Sequence, residues 1–90
     1  MTPNSKPVVI LLKAPWCPIC PRADELYKEV LAKKEADFEY RPLTVESGEG
    51  LELAQKHGIY AIPTTLINGA VVFKGKVPTK PEFLKALLQT

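Results

Sequence analysis

Ninety residues, 46% hydrophobic and 24% charged, suffice for one small globular domain over 1–90 and are too few for two. The 12 basic and 10 acidic side chains leave a formal charge of +2 with no block of like charge, which excludes the footprint of a nucleic-acid or membrane-surface binder. The longest uninterrupted apolar run covers 8–12, far below the ~18 residues that span a bilayer. The polar N-terminus enters that run without a small-residue cleavage site, so the expectation is a cytoplasmic protein.

Residues 7–12 are continuously apolar, rich in β-branched side chains and begin at a proline, which predicts a strand buried on both faces. Ile19, Ala23, Leu26, Tyr27, Val30 and Leu31 then draw one stripe of a helix that starts at the cysteine pair and runs to about 34. Phe38-Glu39-Tyr40-Arg41 alternates with period two, and Pro42 removes a ladder donor, so this second strand belongs at a sheet edge. Ser47 is a candidate cap for a short helix bearing Glu49 and Glu52, with Leu51, Leu53 and Ala54 inside and Gly58 just beyond it. Asn68-Gly69 between 64–67 and 71–73 predicts a type I′ hairpin, because both residues tolerate positive φ. Thr79 and Glu82 have capping-box spacing, ahead of a terminal helix whose inner face is Phe83, Leu84, Leu87 and Leu88. The order β-α-β-α-β-β-α implies a right-handed parallel crossover followed by an antiparallel hairpin. The result is an α/β fold: a four-stranded mixed sheet with three helices on its two faces.

The two cysteines stand in Cys17-Pro18-Ile19-Cys20, too close to staple a loop. Three uses compete for that spacing: a redox dithiol, half of a zinc or iron–sulfur site, and two idle core cysteines. Disulfide exchange needs one thiolate to attack and a second thiol near enough to resolve the mixed disulfide, and two intervening residues permit this. With Cys17 near the N-cap and Pro18 in the first turn, the positive end of the helix favours a thiolate at Cys17, while Cys20 lies a turn deeper. A zinc shell wants about four donors, and beyond the pair only His57 offers an imidazole or thiolate. His57 reads as a charge at the C-terminal end of the short helix. A metal site would need carboxylates or a second subunit.

Trp16-Cys17-Pro18-Ile19-Cys20 after a buried strand, with Gly58-Ile59-Tyr60-Ala61-Ile62-Pro63-Thr64 before a hairpin, resembles the thioredoxin and glutaredoxin superfamily over nearly the whole chain. Trp16 and the Gly-Ile-x-x-Ile-Pro-Thr run are similar to thioredoxins; Cys-Pro-x-Cys and the missing extra N-terminal β-α unit are similar to glutaredoxins. Small thioredoxin-like proteins of archaea and some bacteria resemble this mixture, including proline after the second cysteine, here Pro21. The resemblance implies a minimal thioredoxin fold and a thiol–disulfide oxidoreductase acting on protein disulfides, with Cys17 attacking and Cys20 resolving. It implies a cis Ile62-Pro63 bond beside the cysteines, an Ile62 backbone that pairs with an extended substrate, and a substrate groove that also takes in Trp16, Pro18, Ile19 and Gly75.

The sequence departs from that pattern in ways that bear on mechanism. Leu11 and Pro42 occupy the places of a buried aspartate and a lysine that assist proton transfer in thioredoxins, leaving water, the Cys17 thiolate or Lys13 to that work. Lys74-Gly75-Lys76-Val77-Pro78 lacks the acidic clamp with which glutaredoxins hold glutathione, so thioredoxin reductase is favoured over glutathione as electron donor. Pro21 crowds the carbonyl of Cys17 and deletes a helical bond, which bends the helix or delays its start. The expectation is a monomer needing no bound cofactor or metal. The rival is a metal or iron–sulfur cluster module in which two copies pool the same cysteines.

Overall fold

The computed structural model describes residues 6–46 and 48–89. The elements run β1 (Val8–Lys13), α1 (Cys20–Ala32), β2 (Glu39–Thr44), α2 (Gly48–His57), β3 (Thr64–Ile67), β4 (Ala70–Lys74) and α3 (Lys80–Leu88). The strands form one sheet in the order β2-β1-β3-β4, with β1 parallel to β2 and antiparallel to β3. This is the four-stranded mixed sheet with three helices of a minimal thioredoxin fold.

β1 is central and buried on both faces, and its alternation divides the core. Val9 and Leu11 face one cluster with Ala23, Tyr27 and Val30 of α1, Phe38, Ile67, and Phe83 and Leu87 of α3. Ile10 and Leu12 face the other with Ala54 of α2, Ile59 and Leu66. Aromatic rings fill the first: Tyr27 and Phe83 lie 4.4 Å apart at their centroids, and Phe38 meets Phe83 edge-on at 5.2 Å. The Tyr27 hydroxyl shares a 2.5 Å hydrogen bond with Thr65 Oγ1, so neither buried polar atom is left unpaired.

Pro42 stands in β2, which is an edge strand, and the strand continues past it to Thr44. Asn68 and Gly69 both take positive φ, 52° and 84°, as the hairpin requires. The β3–β4 register slips after Thr65, which pairs with Phe73 while Leu66 pairs with Val71, so Val72 bulges outward.

Three helical expectations need correction. The cysteine pair does not start α1 at Cys17: the N-cap is Ile19, the first helical residue is Cys20, and Pro21 falls in the first turn. Had Pro18 opened the helix, Pro21 would sit where an i→i−4 donor is required. Starting at Cys20 puts its missing N–H among those that need no helical partner. The helix also ends before Lys34, which takes φ 56° while the Glu35 N–H returns to the Val30 carbonyl at 3.0 Å, a Schellman-type closure. Leu51 and Leu88 are not inside. The inward stripe of α2 is Gly50, Leu53 and Ala54, about a quarter turn from Leu51, and Leu88, 87% exposed, lies beyond the Phe83-Ala86-Leu87 face of α3. The cap read at Ser47 lies outside the described residues.

Candidate active site

β1 delivers the chain to the sheet's carboxyl edge, where Ala14 opens a turn closed by the Cys17 N–H on the Ala14 carbonyl at 3.1 Å. Cys17 occupies that turn and Cys20 the first position of α1. They are joined as a disulfide with Cα atoms 5.5 Å apart. Both are buried, at 6% and 2% exposure, in a small cluster with Ala14 against which Val45 and Ile62 pack. The residues around them are not buried. Trp16 is 66% exposed, its indole N–H donating to Glu46 Oε2 at 3.1 Å, and Pro18 and Ile19 are exposed beside it. The buried cysteines thus have an exposed, largely apolar rim in their own sequence neighbours.

The second wall is the loop before β3. The Ile62-Pro63 peptide is cis, and Pro63 is fully buried. Thr64 donates its hydroxyl to the Ala61 carbonyl at 2.6 Å, fixing the loop's path, and Tyr60 projects from it at 97% exposure. Gly75 has φ 71°, and a Cβ there would stand 2.8 Å from the Ala61 Cβ. The structure thus brings Ile62 against the cysteines and gives Gly75 a reason internal to the fold: it lets the segment before α3 pass the loop of Pro63. Lys76 reaches Glu82 of α3 at 3.4 Å and lies 5.8 Å from the Phe73 ring centroid.

Behind the disulfide lies a cavity of about 370 Å³ lined by Lys13, Cys17, Cys20, Pro21, Asp24 and Thr44. Leu11 and Pro42 are register partners across β1 and β2, so the two departures from the thioredoxin pattern are neighbours and supply no proton carrier there. Asp24 escaped the sequence reading. Its signal was the four-residue spacing from Cys20, which puts both on one face of α1, but only the fold shows that this part of the face borders a cavity. Among the described residues no group of three or more His, Cys, Asp and Glu side chains is arranged to hold a metal ion.

Residues 8–89 match the thioredoxin domain family. The chain belongs to that family. It is 36% identical to the thioredoxin of Methanocaldococcus jannaschii over 83 residues, 92% of this chain and 94% of that protein. It is 38% identical to a probable thioredoxin of Archaeoglobus fulgidus over 72 residues, 80% and 76% of the two chains. The solution structure of oxidised thioredoxin from Plasmodium falciparum superposes with a TM-score of 0.65, covering 96% of this chain and 82% of that one at 22% identity, a likeness of fold. Taken with the paired cysteines, membership of this family makes the protein a thiol–disulfide oxidoreductase. Among the described residues no helix is long and apolar enough to cross a membrane.

Proposed function

We propose that the protein reduces disulfides of client proteins through Cys17-Pro18-Ile19-Cys20. The Cys17 thiolate attacks one sulfur of the client disulfide, forming a mixed disulfide and releasing the other client sulfur, which takes up a proton. Cys20 then gives up its proton and attacks the Cys17 sulfur, closing the internal disulfide and releasing the second client thiol. Two electrons pass from the dithiol to the client.

The observation that supports these roles is the asymmetry of the pair. Cys17 lies in the turn beside the exposed rim of Trp16, Pro18 and Ile19, whereas Cys20 is the more buried and is fixed in the first turn of α1. A client segment would lie over that rim, pairing with the Ile62 backbone beside Pro63 and passing near Gly75. Electrons would return from a flavin-containing thioredoxin reductase in preference to glutathione, since the 74–78 segment offers no acidic clamp and Lys76 is paired with Glu82. The same reading expects a cytoplasmic monomer that works without a bound cofactor.

Insulin reduction with separately supplied reductants is the test. Cys17→Ser is expected to lose turnover, and Cys20→Ser to accumulate a client adduct on Cys17, visible by mass. Wild-type turnover in Cys17→Ser, or an adduct carried by Cys20 in Cys17→Ser with none on Cys17 in Cys20→Ser, would reverse or remove the assignment.

A further inference from the structure

The cavity behind the disulfide holds charges that this chemistry has not used. Asp24 follows Cys20 by one helical turn, a spacing that puts Cβ atoms about 5–6 Å apart on the same face. Its side chain is only 16% exposed. Tyr40 of β2 donates its hydroxyl to Asp24 Oδ1 at 2.5 Å, Lys28 of α1 reaches Oδ2 at 3.0 Å, and Lys13 of β1 lines the same cavity and acts on the carboxylate through its charge. Burial is the largest influence on Asp24 and raises its pKa. The hydrogen bonds from Tyr40 and Lys28 and the charges of Lys13 and Lys28 together outweigh it and hold the group below its ordinary value. Such a carboxylate is a poor base toward a thiol that titrates near 8.5, so removing the Cys20 proton is not its role. What it offers the dithiol is a fixed charge.

We propose that the Asp24 carboxylate keeps the dithiol, Cys20 first, from ionising, and thereby biases the Cys17–Cys20 couple toward the disulfide, making the reduced protein a stronger reductant. The proposal rests on the reading of the pair as a working dithiol. Two electrons and two protons convert the disulfide into two thiols, and any thiol that then loses its proton to water stabilises the reduced side further. A negative charge opposes that loss and leaves the uncharged disulfide untouched; a couple whose reduced form is less stabilised is the more reducing one. If carboxylate and sulfur are separated like the Cβ atoms of such a pair, by about 6 Å, a unit charge at an effective dielectric constant of about 20 shifts a thiol by about two pH units, and partial compensation by Lys28 and Lys13 brings this to about one. Lys13 acts with the opposite sign.

The test compares Asp24→Asn, which keeps the shape of the side chain and a partner for Tyr40, with Lys13→Gln. Cys20 alkylation is followed against pH in the Cys17→Ser background, and the full chain is equilibrated with dithiothreitol at pH 9. Asp24→Asn is expected to lower the Cys20 midpoint by about one pH unit and to shift the equilibrium about threefold or more toward the dithiol; Lys13→Gln is expected to move both the other way. An unmoved midpoint in Asp24→Asn, or shifts of the same sign in the two variants, overturns the proposal. That failure is separable from failure of the dithiol reading, which would show as absence of insulin reduction in the unmodified protein.

Discussion

At the start of α3, Thr79 Oγ1 accepts from the Glu82 N–H at 3.3 Å, and Glu82 Oε1 accepts from the Thr79 N–H at 2.9 Å. At the start of α1, Ile19 has no side-chain oxygen to offer, no acidic residue stands in the first turn, and Pro21 shortens the set of donors. α3 thus satisfies its own N-terminal groups and balances its dipole with an acid, whose carboxyl is held below the ordinary range chiefly by the Thr79 backbone N–H. α1 leaves its positive end uncompensated beside two sulfurs. One helix start carries its own cap, and the other, beside the disulfide, has none.

The contrast is sharpest where α3 packs. Phe83, fully buried between Tyr27 and Phe38, is expected to cost about 3–5 kcal/mol when cut to alanine, read as a lowered urea midpoint. The pH profile of Cys17 alkylation should not move in the protein that remains folded, and a profile that moved would show that the two regions are coupled. The next effect belongs to the buried face of α1. Burial raises the Tyr27 hydroxyl to about 12, partly offset by its bond to Thr65, so the folded protein holds that proton more tightly than the unfolded chain. The stability this gives is full below about pH 10 and lost as pH climbs from there through about 12, at up to about 1.4 kcal/mol per pH unit. Tyr27→Phe should flatten that alkaline decline, and an equally steep loss in the variant would assign it elsewhere.

Smaller effects separate the two helix starts directly. Thr79→Ala should cost about 1 kcal/mol and leave dithiol reactivity alone. Ile19→Asp gives α1 the acid it lacks: stability should rise by about 0.5 kcal/mol, and Cys17 should alkylate about threefold or more slowly at pH 7 because the dipole now has a nearer anion to serve. Unchanged alkylation in Ile19→Asp would mean that the helix start contributes nothing to Cys17.

Most of the fold was legible because its signals are local. A β-branched run, an Asn-Gly pair and a Thr-x-x-Glu box each specify their own few residues, and the structure contains β1, the β3–β4 hairpin and the α3 cap accordingly. The start of α1 was harder to read because Pro18 and Pro21 make competing demands on one turn, and only the second can be met once Cys20 is helical. Leu51 and Leu88 misled because apolarity near a stripe is not membership of it; packing decides, and among the described residues these two are left exposed, at 38% and 87%. Of the site, the cysteines and the Ile62-Pro63 loop could be picked out by motif. Lys13 could be named from its place after the first strand, but Asp24 and Tyr40 could not, since they come from α1 and β2 and meet Lys13 of β1 only when the three elements are assembled. Gly75 was assigned to substrate approach, and its contact with Ala61 supplies a need within the fold that no motif expresses.

The proposed roles require Cys17, in the turn just before α1, to ionise more readily than Cys20 in its first turn. Alkylation rate against pH for each cysteine, with the adducts assigned by mass, measures it directly. The expected result is a Cys17 midpoint below the free-thiol value of about 8.5 and a Cys20 midpoint above it. Equal alkylation of both cysteines near neutral pH, or a Cys17 midpoint at or above that value, would contradict it.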